Sequence, residues 1–265
     1  MRHIKGGQDE YYTRDDVATH FVHKTITDLY PKEVKLFVEP SAGEGAFIKP
    51  LLDMDYPVVA YDINPKHNEI AQADFLTLEL PKRFTDGLTV AIGNPPFGFA
   101  SNNAIKFFNK CAEFADYIAF VVPRTFKKIS AQNKLHKNFH LVKEYEVPKY
   151  AFVVDGKSHN VPCVYQIWER RETLRPIKAG NLNKYLKLTT PEEADFAMRR
   201  VGGKAGEILR GVNHSPSSTY FFKELKKGVK DALMNADFES TRDNTAGVRS
   251  ISQLEIIEYL DEYFK

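Results

Sequence analysis

Residues 93–98, Gly-Asn-Pro-Pro-Phe-Gly, place an amide, two prolines and an aromatic ring directly after the apolar run 88–92. The amide of Asn94 offers one hydrogen-bond acceptor and two donors. Pro95 and Pro96 have no N–H for a β-ladder, and a proline disfavours helix in the residue before it. We therefore expect a stiff corner at the end of a buried strand, with Asn94 and an exposed Phe97 ring available to a ligand. Because Asn-Pro is also common in ordinary turns, other residues are needed to assign a function.

Three acidic residues, Glu39, Asp62 and Asp74, are expected at the ends of strands. Glu39 ends the first of these, and Gly43 and Gly45 then allow a tight turn and the close approach of a ligand. Asp62 lies 17 residues beyond Gly45, close to the roughly 20-residue spacing at which an acid reaches the ribose hydroxyls of an adenosine ligand. Asp74 offers a carboxylate for an exocyclic amine. Burying such acids without partners is costly, so together they predict a bound polar ligand.

Alternating apolar runs and amphipathic segments must position these residues. Helical patterns such as 102–115 separate the apolar runs, which predicts a mostly parallel α/β sheet with helices on both faces. Two later runs, 145–155 and 160–171, are joined by 156–159 and predict an antiparallel hairpin at the sheet edge. In such sheets ligands bind at the carboxyl ends of the strands. The predicted buried strands lie at 34–40, 57–63, 88–94 and 117–123.

Length and composition bound the remaining possibilities. The chain has 265 residues, 43% of them apolar, which is enough for a full core in one medium domain and a smaller appendage. We expect a catalytic domain at 1–175 and a small target-recognition or capping region at 176–265. No apolar run approaches the roughly 18 residues of a membrane helix, and no signal segment is recognisable, so a cytoplasmic or otherwise intracellular location is expected. Cys111 and Cys163 lack metal-ligand spacing, and no metal is predicted.

Basic residues concentrate in two stretches although the net charge is only +2. Residues 123–149 contain seven Lys or Arg against two acids, and residues 199–230 contain eight against two. Such zones are what a nucleic-acid footprint looks like, and a solvated lysine-rich face gives the same pattern. Charge alone therefore leaves both interpretations open.

The segments 11–22, 39–45, 61–64, 73–75, 94–97 and 146–152 follow one another in an order that resembles the class I S-adenosylmethionine-dependent methyltransferases. Within that class they resemble the amino-methylating nucleic-acid enzymes marked by Asn-Pro-Pro-Phe. The motif order, with the cofactor region first and a variable region last, resembles the gamma group of adenine-N6 DNA methyltransferases. Arg14 departs from that family, which usually has proline there. The resemblance implies a Rossmann-like fold with S-adenosylmethionine as cofactor. The implied cofactor-binding residues are Tyr11, Tyr12, Thr13, Glu39, Pro40, Ser41, Gly43, Gly45, Asp62, Ile63, Asp74, Phe75 and Asn94.

The resemblance also gives the Asn-Pro-Pro-Phe corner a catalytic role. An adenine amine is a poor nucleophile, so its two N–H groups must be held by acceptors, namely the side-chain oxygen of Asn94 and the backbone carbonyl of Pro95. Pro96 keeps the corner rigid, and Phe97 would stack on an extruded base with a gain of about 1–3 kcal/mol. No cysteine nucleophile is required, which disfavours cytosine-C5 chemistry.

The substrate is predicted less directly. Tyr150 or Phe152 is a candidate second stacking residue or an ordinary core residue, and Thr13 is also a candidate helix N-cap. DNA is preferred over RNA as the methyl acceptor. A protein glutamine methyltransferase, which usually has tyrosine at the position of Phe97, and a catalytically silent subunit are the other hypotheses. The candidate nucleic-acid contacts are Arg199, Arg200, Lys204 and Arg210.

Overall fold

The computed structural model describes residues 11–82, 86–245 and 247–265, and the chain divides into two compact units. The first unit comprises the described residues up to Phe126 together with Lys134–Pro176. The second unit comprises Lys127–Asn133 and Ile177–Lys265. A short segment near the middle of the chain thus belongs to the C-terminal unit, so that this unit is built from two separate stretches of sequence.

Strands alternate with helices along the first unit, while short strands and helices make up the second. In chain order the strands are β1 (Tyr12–Thr13), β2 (Val34–Glu39), β3 (Val58–Asp62), β4 (Ile70–Gln72), β5 (Leu88–Gly93), β6 (Tyr117–Pro123), β7 (Phe139–Glu146), β8 (Phe152–Val154), β9 (Lys157–His159), β10 (Cys163–Arg170), β11 (Leu186–Leu188), β12 (Phe196–Arg199), β13 (Ile208–Leu209) and β14 (Thr219–Glu224). The α-helices are α1 (Asp15–Leu29), α2 (Ile48–Asp53), α3 (Asn102–Cys111), α4 (Ile129–Gln132), α5 (Val229–Met234), α6 (Glu239–Arg242) and α7 (Gln253–Tyr263).

A seven-stranded sheet in the order β4-β3-β2-β5-β6-β10-β7 forms the first unit. The five strands from β4 to β6 pair in parallel, and β10 runs antiparallel between β6 and β7. The apolar residues of α3 pack with those of the central strands in one core, which includes Phe108, Ile118 and Trp168. The predicted Rossmann-like α/β fold, mostly parallel with an antiparallel element at one edge, is confirmed.

The predicted edge hairpin is wrong in its details. The run 145–155 does not continue as one strand, because β7 ends at Glu146 and β8 joins a separate sheet in the order β1-β8-β9. Of the expected turn 156–159, residues 157–159 form β9 itself, and the turn from β8 to β9 consists of Asp155 and Gly156. Asp155 and Gly156 both have positive φ there, at 49° and 72°, which is the backbone geometry of a tight two-residue hairpin turn.

The second unit contains a four-stranded sheet in the order β11-β14-β12-β13, with all of its pairs antiparallel. Helix α7 begins at a capping box in which Ser252 and Glu255 bond each other's backbone N–H. Ile256 and Leu260 of this helix join Phe222 of β14 in the core. Throughout the described ranges of both units, every helix is too short or too polar to cross a membrane.

Candidate functional site

A cavity of about 640 Å³ lies at the carboxyl ends of β2, β3 and β5 in the first unit. Its volume falls within the roughly 300–1,000 Å³ of small-molecule sites. Chain connections leave β2 in one direction and β5 in the other, so the cavity sits where ligands bind in open α/β sheets. The segments that line it are 11–13, 39–44, 46–47, 62–64, 73–76 and 94–99, together with Asn103 and Phe107 of α3.

The amide of Asn94 is held at the cavity wall in one orientation. Its Nδ2 donates to the backbone carbonyl of Tyr11 over 2.8 Å. The hydroxyl of Ser41 donates to the backbone carbonyl of Asn94 over 3.3 Å, which leaves the side-chain oxygen out of both bonds. The side-chain oxygen Oδ1 is buried and has no hydrogen-bond partner. Since a buried acceptor without a donor costs about 1–3 kcal/mol, the geometry leaves Asn94 with one acceptor for a ligand.

Glu39 is a second buried group with an unused acceptor. The residue is 2% exposed, it lines the cavity, and its Oε2 has no partner. Burial, and secondarily the charge of Asp62, raises the pKa of the Glu39 carboxyl well above its usual range. Gly93 has a φ of +144°, and a Cβ there would lie 3.1 Å from Cγ of Glu39, so the glycine makes room for this side chain.

Asp62 ties the end of β3 to the glycine turn after β2. Its Oδ2 accepts from the N–H of Gly43 over 2.7 Å, and its Oδ1 accepts from the N–H of Asn64 over 2.8 Å. Gly43 adopts a φ of +50°, and a Cβ at this position would lie 2.8 Å from Cε1 of Tyr12. The remaining lone pairs of the carboxylate can accept further hydrogen bonds from a ligand.

Asp74 and Phe75 form the cavity wall after β4. Oδ1 of Asp74 accepts from the N–H of Leu76 over 3.1 Å, which fixes the carboxylate at the start of a turn. The ring of Phe75 is 2% exposed and stacks on Phe107 at 5.8 Å between centroids. Phe75 therefore contributes an apolar wall, while Asp74 contributes the polar group.

The expectation of an exposed Phe97 ring is wrong. Phe97 is only 7% exposed, because its ring stacks near Tyr11 at 6.2 Å and meets Phe152 edge-on at 6.1 Å. Phe152 is fully buried and does not line the cavity, which makes it a core residue. Tyr150 is 56% exposed and is also absent from the cavity wall. Phe97 thus lines the cavity while its ring is mostly covered by Tyr11 and Phe152.

Of the two interpretations left open for Thr13, the structure excludes the N-cap of α1. Thr13 lies in β1, where it pairs with Phe152. The N-cap is therefore the next residue, Arg14, whose side chain makes no cap bond. The Thr13 hydroxyl is buried without a partner at the cavity wall. The N–H of Arg14 donates to Ala151 over 2.9 Å, a bond that proline at this position could not make.

Most of the remaining predicted cofactor residues come together in this cavity. Tyr11, Tyr12, Pro40 and Ile63 line it. Gly45 does not line the cavity. Its φ of +81° allows the tight turn that follows β2.

The predicted nucleic-acid contacts belong to the second unit. Arg199 and Arg200 are partly exposed, and Lys204 and Arg210 are exposed. The guanidinium of Arg200 lies 5.4 Å from the ring centroid of Tyr220, and Lys204 lies 3.9 Å from the carboxylate of Glu207. These contacts leave the lysine and arginine heads in reach of solvent, and their role in binding stays a prediction.

Some cavity residues were not predicted from the sequence. Asn64 follows Asp62 by two residues, a spacing typical of a turn in which a backbone N–H bonds the carboxylate. Asn103 and Phe107 lie four apart on α3 and so share a helix face. Phe99 carries no sequence signal beyond its position two residues after the corner. In the part of the chain that the structure describes, no cluster of three His, Cys, Asp or Glu residues is arranged to hold a metal ion.

Neither a protein-family model nor a curated protein matches this chain. Solved structures with a similar fold include a Pyrococcus horikoshii protein described provisionally as an RNA methyltransferase, with 14% identity, a TM-score of 0.46, and coverage of 64% of this chain and 90% of that one. A Listeria monocytogenes protein described provisionally as a class I S-adenosylmethionine-dependent methyltransferase has 16% identity and a TM-score of 0.48, with 66% of each chain covered. A type I restriction-modification methyltransferase subunit from Streptococcus thermophilus has 11% identity and a TM-score of 0.45, with 62% of this chain and 46% of that one covered. At these identities the likeness concerns the fold alone.

Proposed function

We propose that this protein transfers a methyl group from S-adenosylmethionine to the N6 amine of adenine in DNA. The observation that carries the proposal is the unpaired Oδ1 of Asn94, fixed by the bond from Nδ2 to Tyr11. An acceptor held in this way is suited to one N–H of an exocyclic amine. The backbone carbonyl of Pro95 is the expected acceptor for the other.

The cavity residues fit S-adenosylmethionine group by group. The unpartnered carboxyl oxygen of Glu39 suits the ammonium of the methionine part. Asp62, with the glycine turn beside it, suits the ribose hydroxyls, and Asp74 suits the adenine amine. When bound, the cofactor would supply a methyl group: the carbon–sulfur bond would break to leave S-adenosylhomocysteine, a carbon–nitrogen bond would form, and the nitrogen would release one proton to solvent. Holding the amine in line contributes several kcal/mol to such a reaction.

The preference for DNA and for an extruded base depends on the motif order in the sequence. The basic residues of the second unit add an electrostatic reason to expect a polyanion. RNA is the second candidate acceptor, since the same amine chemistry would apply to adenine in a single strand. A protein amide is the third, and it would not require the basic residues.

Methyl transfer from tritiated S-adenosylmethionine tests the proposal directly. The acceptors are DNA amplified in vitro, RNA transcribed in vitro and a protein mixture, and labelled nucleic acid is digested to nucleosides. We expect the label in N6-methyladenine from DNA. Label in another base, in protein alone or in no acceptor would contradict the proposal, and label in RNA alone would replace DNA by RNA.

The variant Asn94→Ala tests the role of the corner. It should lower the transfer rate by about 100- to 1,000-fold, the usual effect of removing one oriented polar group from a transition state. Binding of S-adenosylmethionine, measured by calorimetry, should change little. The control is Asn183→Ala, which removes an exposed asparagine of the second unit and should transfer at the wild-type rate. Transfer by Asn94→Ala at that same rate would rule out the assigned role.

A further inference from the structure

Phe99 is an exposed aromatic residue at the rim of the cavity, two residues beyond the Asn94–Phe97 corner. Its side chain is 80% exposed, yet it contributes to the cavity wall. A large apolar ring in water gains nothing for folding, because the hydrophobic contribution requires removal of apolar area from water. A ring at the edge of a ligand cavity is therefore a candidate contact for substrate.

The backbone around Phe99 is held in an unfavourable conformation. Ala100 and Ser101 have φ values of +52° and +64°, and Gly98 has +66°. For residues with a Cβ this left-handed region costs about 1–2 kcal/mol each. Such strain persists only where neighbouring contacts impose it, and it clusters at binding and catalytic sites.

Contacts on both sides of Phe99 impose the conformation. The N–H of Ser101 donates to the carbonyl of Gly98 over 3.3 Å, and the N–H of Asn103 donates to the carbonyl of Phe97 over 3.2 Å. Ser101 is 4% exposed, and a Cβ on Gly98 would lie 2.7 Å from Cγ of Asn103. The loop is thus pinned at its base while its one large side chain stays in solvent.

The other aromatic rings of the cavity are less available. Phe97 is 7% exposed and Phe75 is 2% exposed, and Tyr11 and Tyr12 are partly buried. Tyr150 is 56% exposed but does not line the cavity. Among the aromatic side chains that line the cavity within the described residues, Phe99 alone is classed as exposed.

We propose that Phe99 positions the substrate by stacking on the target base as it enters the cavity. The inference deepens the proposed function and depends on it, because it names the side chain that receives the base before Asn94 bonds its amine. Stacking of this kind is tolerant of base identity, since every base has a π-face. Phe99 would therefore contribute to substrate affinity and leave base selection to the polar groups of the cavity.

Steady-state kinetics of Phe99→Ala test this inference with amplified DNA and transcribed RNA as acceptors. We expect the KM for nucleic acid to rise by about 10- to 100-fold, the loss associated with one base–aromatic stack. The dissociation constant of S-adenosylmethionine should stay within twofold, and Phe99→Tyr should stay within about threefold of wild type in KM because it keeps a ring of the same size. The control is Leu174→Ala, which removes another exposed apolar side chain of the first unit and should leave the KM unchanged.

The outcomes separate this inference from the proposed function. If the wild-type protein methylates nucleic acid and Phe99→Ala keeps the wild-type KM, the inference is overturned while the proposed function stands. The same holds if Tyr150→Ala raises the KM and Phe99→Ala does not. If the wild-type protein methylates neither DNA nor RNA, both fall. If Phe99→Ala both raises the KM for nucleic acid and weakens S-adenosylmethionine binding more than twofold, the ring has a structural role, and the inference is also overturned.

Discussion

Two buried glutamates, one in each unit, have opposite surroundings. Glu255 of the second unit is 6% exposed, and both of its oxygens lie 3.2 Å from Nζ of Lys128. The N–H and the hydroxyl of Ser252 donate to it as well, over 2.7 and 2.9 Å. Glu39 of the first unit is 2% exposed, and its Oε2 has no partner.

The difference distinguishes a structural network at Glu255 from a candidate binding site at Glu39. Burial of a charge is tolerated where hydrogen bonds and an opposite charge surround it, as they do at Glu255. Glu39 has no such partner for its Oε2, and the same cavity contains two more buried oxygens without a partner, Oδ1 of Asn94 and Oγ1 of Thr13. Three of the eight buried side-chain atoms without a hydrogen-bond partner among the described residues lie in this one cavity, and this clustering favours a polar ligand because each such atom costs free energy when it has no partner.

The largest effect is expected where the second unit's network is broken. Lys128→Met leaves the carboxylate of Glu255 buried without its cation, so the free energy of unfolding should fall by about 3–5 kcal/mol. Urea unfolding at neutral pH measures the change. The matched control is the double variant Lys128→Met/Glu255→Leu, which removes both charges and should regain at least half of the loss. Equal stability of wild type and Lys128→Met would show that the network is not structural.

A smaller effect is expected from a side chain added to the glycine turn at the cavity. Gly43→Ala places a Cβ 2.8 Å from Tyr12, so S-adenosylmethionine should bind at least about tenfold more weakly, a loss of about 1.4 kcal/mol. Gly211→Ala is the control, because this glycine also has a positive φ, of +68°, but no atom within 4 Å of the added Cβ. Both variants carry backbone strain, and only the first should change cofactor affinity. If Gly43→Ala and Gly211→Ala bind S-adenosylmethionine with equal affinity in a calorimetric titration, the glycine turn at Gly43 is not part of the cofactor site.

Glu39 should oppose stability in the ligand-free protein as pH rises. Burial raises the pKa of Glu39 in the folded protein above its value in the unfolded chain. The stabilisation of the folded protein by protonated Glu39 is therefore complete below the usual glutamate pKa range, and it is lost as pH increases through the folded-state pKa. Glu39→Gln cannot ionise, so it should be about 1 kcal/mol more stable than wild type at neutral pH and equal to it below about pH 4. Urea unfolding across this range measures the difference. A difference that does not change with pH would show that ionisation of Glu39 is not its cause.

The smallest effects are expected from single basic residues of the second unit. Arg210→Ala and Lys204→Ala should each weaken DNA binding a few-fold and reduce the slope of log affinity against log salt by about one. Fluorescence anisotropy with a labelled duplex between about 50 and 200 mM salt measures both quantities. Lys187→Ala, which removes an exposed lysine of β11, is the control. Unchanged slopes for both variants would leave the second unit without a role in contacting phosphates.

The parallel sheet and the polar residues at the carboxyl ends of its strands could be predicted from the sequence, because both depend on local patterns. Apolar runs ended by Glu39, Asp62 and Asn94 are enough to place three strand ends at one edge of a parallel sheet. The split of 145–155 into β7 and β8 was not predictable, because both parts have the same apolar alternation and differ only in which sheet they join. That choice is made by tertiary pairing with β1 and β10.

The exposure of individual rings was the least predictable feature of the site. Phe97 and Phe99 are two residues apart in a loop without a regular period, so no face can be assigned to either from spacing. The burial of Phe97 depends on Tyr11 and Phe152, which are far away in the chain. The exposed Phe99 is followed by a left-handed backbone at Ala100 and Ser101, which residues of these types rarely adopt.

Calorimetric titration of the purified protein with S-adenosylmethionine shows whether the cavity that contains the unpaired carboxyl oxygen of Glu39 receives this ligand. We expect saturable binding of one molecule per chain, weakened at least tenfold by Gly43→Ala. A flat titration, or one that is the same for wild type and Gly43→Ala, would contradict this expectation.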